Sequence, residues 1–148
     1  AEQMAAVLEL EFPHSDALIM SAAVADAKVA NYSEEKIRKE SLNRVDLAKN
    51  PDILKSLSNS KKSNQIIFGF AAETSEDLEL LEENGRAKLA SKSLDLIYVN
   101  NVTNGAVFGS NFTQGLIIDR DLNVIKVPEI SKDTLSDILL DQLVSKLG

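Results

Sequence analysis

Two lysines four residues apart, Lys88 and Lys92, could act together on one ligand. On a helix that spacing puts both ammoniums on one face. There they repel unless an anion or solvent separates them. A bound polyphosphate is one reading and a solvated surface is the other. A second cationic group, Lys36, Arg38 and Lys39, lies in a long polar stretch. Ala22, Ala23, Ala25, Ala71 and Ala72 form a third feature. Small side chains let a ligand approach the backbone, and they equally suit tight helix–sheet packing. Asp26, Asp52 and Glu73 could position a metal ion or a ribose, or serve as caps and ion-pair partners.

Other chemistries lack their residues. The 148 residues include no cysteine, which excludes disulfides, thiolate–metal sites and cysteine nucleophiles. His14 is the only histidine, so a Ser-His-Asp triad or a multi-histidine metal site is not expected. Neither G-x-G-x-x-G nor a Walker sequence occurs. A formal charge of -7 argues against a nucleic-acid partner. No apolar run approaches the roughly 20 residues of a membrane helix, and no secretory signal is visible. With 44% hydrophobic and 26% charged residues, one soluble, cytoplasmic domain is expected.

The apolar pattern sets out the elements that must position these groups. A helix over residues 2–12, with Met4, Leu8 and Phe12 at helical spacing, is closed by Pro13. Nothing before it can cap it, and the chain opens on Ala1, so the sequence is expected to continue upstream. Strands are predicted over residues 17–20, 65–70 and 94–99. Between the first two lie the polar stretch, residues 27–49, and a short helix over 53–57 with Asn50 as N-cap and Pro51 at its first position. A stretch of that length between elements implies a mobile lid, a dimer-forming arm or disorder. Thr74 or Ser75 is expected to cap a helix reaching Lys92, with Glu76 and Asp77 in its first turn.

A Gly/Asn-rich loop over residues 103–113 follows. Residues 116–118 and 124–127 then read as a hairpin turning at 119–123 and ended by Pro128. Ser131 starts a last helix with the stripe Leu135, Ile138, Leu139, Leu143 and Leu147. The alternation predicts a Rossmann-like three-layer α/β fold, with a mostly parallel sheet and a C-terminal hairpin plus helix. Right-handed crossovers bring the carboxyl ends of the three strands to one edge. Residues 21–26, 70–74 and 100–108 would line a ligand crevice there.

Six strings in order sharpen this: Ala22-Ala23-Val24-Ala25-Asp26, Glu35-Lys36-Ile37-Arg38-Lys39, Asn50-Pro51-Asp52-Ile53-Leu54, Gly69-Phe70-Ala71-Ala72-Glu73-Thr74, Ala87-Lys88-Leu89 and Lys92-Ser93-Leu94-Asp95-Leu96-Ile97. The series resembles the phosphopantothenate–cysteine ligase family over essentially the whole chain. That resemblance implies an enzyme of coenzyme A biosynthesis, a carbon–nitrogen ligase acting on 4'-phosphopantothenate, L-cysteine and a nucleotide triphosphate. The nucleotide is CTP, or ATP in many eukaryotic members. Mg2+ is the expected companion and a homodimer the expected assembly. Lys36 matches the family's catalytic lysine on a flexible flap. Ala22, Ala23, Asp26, Asn50, Pro51, Asp52, Ile53, Phe70, Lys88 and Lys92 match nucleotide-binding positions, with Phe70 near the nucleotide and Ala22 and Ala23 on the pocket floor.

The family's Gly-Gly-Thr turn and Ser-Ser-Gly-Lys-Met-Gly loop are absent, so the chain as given is not expected to complete catalysis. Ala27 stands where an aromatic residue is usual. Asn100-Asn101-Val102 replaces Asn-Asp-Val, which removes the carboxylate that could serve a metal or ribose there. FMN belongs to a fused decarboxylase half of such proteins, which is not in this sequence. The alternatives are a non-catalytic nucleotide-binding domain on the same scaffold, or part of a bifunctional parent that is also a phosphopantothenoylcysteine decarboxylase.

Overall fold

The computed structural model describes residues 1–38, 43–103 and 109–147. Among these, four α-helices and a five-stranded sheet form three layers, and a separate two-stranded ribbon stands beside them. The sheet contains β1 (Ala17–Met20), β4 (Ile66–Glu73), β5 (Leu96–Asn101), β6 (Phe112–Asp119) and β7 (Val124–Ser131), in the order β1-β4-β5-β6-β7. The ribbon pairs β2 (Ala27–Val29) with β3 (Leu47–Lys49). β1, β4 and β5 are parallel, as the sequence predicts, and the β6–β7 hairpin adds an antiparallel half.

Strand parity divides the core. Ile67 and Ala71 of β4 face one layer, and Ile66 and Phe68 face the other. A strand buried on both faces reads as a continuous apolar run, which is why β4 was visible in the sequence. The first layer holds α1 (Glu2–Glu11), α2 (Ile53–Ser60) and α3 (Leu78–Lys92). Phe12, Leu57, Leu81 and Leu89 pack there with Ile97, Val99 and Ile118 of the sheet. The second layer is α4 (Lys132–Leu147), whose Leu135, Leu139 and Leu143 cover Phe68, Leu96, Tyr98 and Ile117. Ile138 is half-buried and Leu147 is exposed, so the buried stripe is narrower than predicted. Among the described residues no helix is long and apolar enough to cross a membrane.

Several boundaries differ from the sequence expectations. α2 is capped by Asp52, not Asn50: its carboxylate accepts from Lys55 N at 3.2 Å. Asn50 is committed elsewhere, its side chain donating to Ala25 O at 2.8 Å. Pro51 therefore precedes the cap instead of opening the helix. β4 runs on through Glu73, so the cap of α3 falls on Asp77, which accepts from Glu79 N and Leu80 N. Ser75 instead accepts from Asp77 N at 3.1 Å and shapes the approach. Pro128 does not end the hairpin but lies within β7. β7 is an edge strand, where a residue without an N–H costs no ladder bond on the solvent side.

Residues 27–49 are not one unstructured loop. Their ends pair in the register Ala27↔Lys49, Lys28↔Ala48 and Val29↔Leu47. Ala30 N extends the pairing to Asp46 O at 2.8 Å, and Asn50 N to Asp26 O at 2.8 Å. Lys28 forms an ion pair with Glu2 of α1. Lys39 of the cationic group lies outside the described residues, as do residues 104–108 of the predicted crevice.

Candidate functional site

β1, β4 and β5 end on the same edge at Met20, Glu73 and Asn101. Above that edge, between the chain leaving β1, the start of α2 and the face of α3, lies a cavity of about 470 Å3. Small-ligand pockets span roughly 300–1,000 Å3. Ala22, Ala23, Asp26, Asn50, Pro51, Asp52, Ile53, Phe70, Lys88 and Lys92 all line it. Every sequence-predicted nucleotide position is thus in one place, although the residues come from four separate segments. Lys36 is not: it is exposed on the arm and is absent from this lining.

Local structure explains the gathering. The Asn50 bonds to residues 25 and 26 hold the strand leading into α2 against the segment leaving β1. Gly85 lets α3 lie close on the sheet, since a Cβ there would meet Val99 Cγ2 at 2.6 Å and Ile118 Cδ1 at 2.7 Å. The next turn of α3 then carries Lys88, and the one after it Lys92. Ser93, at φ 52°, closes the helix in the left-handed region.

The two lysines are not left to repel each other. Lys88 forms an ion pair with Glu73, and Lys92 Nζ lies 3.4 Å from Asp52 Oδ2. These pairs are substantially solvent-accessible on the lysine side, so each is worth little to stability and can exchange its anion. Glu73 also accepts from Asn84 Nδ2 at 3.2 Å. Asn84, Lys88 and Lys92 share one helical stripe, and this i, i+4, i+8 spacing is the signal by which Asn84 could have been found from sequence.

Asp52 and Glu73, read from sequence as possible metal or ribose groups, thus serve as cap and ion-pair partners. Among the described residues no group of three or more His, Cys, Asp or Glu gathers to hold a metal ion.

A second cavity of about 570 Å3 adjoins the first and shares Ala22, Ala23, Phe70, Ala71 and Ala72 with it. It opens toward α4 and adds Tyr98, Thr113 and Ser136, none of which the sequence singled out. The Phe70 ring belongs to this side: it stacks on Phe68 with centroids 5.3 Å apart and meets Tyr98 edge-on at 6.1 Å. The Tyr98 hydroxyl bonds to Thr113 Oγ1 at 2.9 Å. Burial pushes the Tyr98 phenol up, with that hydrogen bond opposing it, so the hydroxyl stays protonated at neutral pH.

Comparison with known proteins places this geometry. Residues 1–147 match the family described as the DNA/pantothenate metabolism flavoprotein C-terminal domain. The chain is 37% identical over 147 residues to the coenzyme A biosynthesis bifunctional protein CoaBC of Bacillus subtilis, covering 98% of this chain and 35% of that protein. It is 35% identical over 125 residues to the protein of the same name from Borreliella burgdorferi, covering 83% and 30%. Among solved structures, the C-terminal domain of CoaBC aligns with a TM-score of 0.74 at 26% identity, over 97% of this chain and 60% of that one. The chain therefore spans about a third of the length of these curated relatives.

Proposed function

Because the chain belongs to the DNA/pantothenate metabolism flavoprotein C-terminal domain family, we propose that it carries the nucleotide site of a phosphopantothenate–cysteine ligase of coenzyme A biosynthesis. The observation that carries this reading is the convergence of ten residues from four segments on one cleft at the carboxyl edge of the sheet. The relatives' names, with coenzyme A biosynthesis in each, point the same way.

The chemistry follows from the substrates. A carboxylate does not react with an amine, so it must first be activated. The carboxylate of 4'-phosphopantothenate attacks the α-phosphorus of CTP. A carboxylate O–P bond forms, the bond to the β-phosphate breaks, and pyrophosphate leaves with its electron pair. The amine of L-cysteine then attacks the acyl carbon, loses a proton, and CMP departs as the amide forms. Neither step needs a protein nucleophile, which suits a chain without cysteine. Lys88 and Lys92 meet the phosphates and offset the charge that builds on the departing pyrophosphate. Ala22 and Ala23 let the ligand lie close to the backbone. Phe70 forms the wall between the two cavities, and the acyl substrate extends into the second.

Lys36 acts from the arm, after closure, and excludes water as it arrives. A two-stranded ribbon is marginal alone, and Val29 and Leu47, which pair across this one, are both exposed. A second copy of the chain covering it in a homodimer, in a cytoplasmic enzyme, completes the reading. The word bifunctional in the relatives' names favours one addition: a parent that also bears an FMN-dependent decarboxylase segment.

The test is an assay of the whole protein with CTP, 4'-phosphopantothenate and cysteine. CMP and pyrophosphate should form in equal amounts, and Lys36→Ala should cut turnover by roughly 30- to 1000-fold while changing CTP binding little. Formation of CDP and phosphate would instead indicate an acyl phosphate. Turnover without any nucleotide would remove the ligase assignment.

A further inference from the structure

The carboxyl end of β4 carries a charge that a phosphate clamp does not need. Glu73 ends the apolar strand, and its side chain is only 17% exposed. It is held from two sides by α3: Oε2 accepts from Asn84 Nδ2 at 3.2 Å, and Oε1 pairs with Lys88 Nζ. Its backbone carbonyl accepts from Val102 N at 2.9 Å, just past β5. The carboxylate is therefore fixed. Lys88, 45% exposed and on a four-carbon stem, is the partner that can move.

We propose that Glu73 is a built-in counter-ion that holds the Lys88 ammonium in the empty cleft and yields it to a bound polyphosphate, setting the cleft's polyphosphate affinity below what its lysines alone would give. The inference rests on the nucleotide reading above. A carboxylate in ion-pair contact occupies one of the three donors of the ammonium and offsets its charge. An arriving phosphate must share Lys88 with Glu73 or displace it. The penalty weighs most on pyrophosphate, which is small and highly charged, so the same device that loosens binding speeds departure of that product.

Lys92 is held differently. Its partner Asp52 is 3.4 Å away, both side chains are well exposed, and Asp52 Oδ1 is committed to capping α2. The effect therefore centres on Glu73. It is a positioning residue, because it acts through Lys88 and meets no reacting atom.

Glu73→Gln keeps the shape and an acceptor for Asn84 but removes the charge. Calorimetric titration of the whole protein with pyrophosphate at low salt should show binding roughly three- to tenfold tighter than in the wild type. Glu73→Gln added to Lys88→Met should show no such gain over Lys88→Met alone. A merely structural role for Glu73 would weaken binding, not tighten it. Unchanged or weaker pyrophosphate binding in Glu73→Gln, beside measurable binding in the wild type, overturns the counter-ion role and leaves the nucleotide site standing. Failure of the wild type to bind either pyrophosphate or CTP overturns both. Should Glu73→Gln not fold, Glu73→Asp serves instead. Being one methylene shorter it releases Lys88, so a smaller gain is expected, and no gain overturns the proposal.

Discussion

Asp95 and Glu73 are carboxylates at opposite ends of the central strands, and each faces a lysine. Asp95, just before β5, is 1% exposed. It accepts from Ile67 N at 2.8 Å, pairs with Lys61, and places Oδ1 2.7 Å from the Arg120 guanidinium. Its backbone joins the same network, with Asp95 N donating to Ile67 O and Arg120 N donating to Asp95 O. Beside it, Gln65 donates to Phe12 O and Ser15 O, each at 2.7 Å. At this amino end the Asp95 carboxylate is spent on joining β4, β5 and the turn after β6. At the carboxyl end Glu73 and Asp52 each hold one lysine whose ammonium remains open to solvent. The same pairing chemistry is a staple where water is excluded and an exchangeable contact where it is not.

The comparison can be broken first at Asp95. Asp95→Ala leaves Lys61 and the buried Ile67 N–H without their partner, and breaking a buried pair costs about 3–5 kcal/mol. Urea or thermal unfolding should show a loss of that size. A loss below about 1 kcal/mol would mean that the amino end is no staple.

Asp119, opposite Leu96 at the same end of the sheet, gives the next effect. Burial pushes its carboxyl up, but hydrogen bonds from the Asn123 side chain, Lys146 and the Asn123 backbone outweigh this and hold it at about 2. A folded value below the ordinary 3.8 means stability that is present above that value and lost as pH falls through about 2. With solvent at Lys146 weakening the pair, the loss should be about 1–2 kcal/mol. Melts between pH 5 and 2 should show the loss in the wild type and a flatter acid slope in Asp119→Asn. Equal slopes would remove Asp119 from the network.

The smallest stability effect belongs to the cleft. Lys88→Ala and Lys92→Ala should each change unfolding free energy by less than about 1 kcal/mol, because their pairs are solvated. A large loss in either melt would make the carboxyl end a second staple.

Sequence legibility follows the same divide. The runs of β4 and β5 and the start of α4 depend on local pattern, so the layers were readable. Ser131, expected to start the last helix, accepts from Thr134 N at 3.0 Å just before α4. Caps were misplaced where several candidates compete within a few residues, as at Asn50 and Asp52, because a distant carbonyl, Ala25 O, decides between them. The β2–β3 ribbon was not readable: its three-residue strands show no alternation, and their pairing spans the whole arm. The residues that line the cleft were named from six strings and their resemblance; the strand–helix alternation by itself reached only the sheet edge. Glu73 and Asp52 were legible as possible caps or ion-pair partners, but which lysine each meets was not, since that depends on where α3 lies over β4 and α2.

Titration with CTP tests the central claim most directly, comparing the wild type with Lys88→Ala/Lys92→Ala, both checked by thermal melt. If these residues form a nucleotide site, the wild type binds CTP, and the double variant binds roughly 30- to 100-fold more weakly at an unchanged melting temperature. Equal CTP affinity in the two proteins would contradict it.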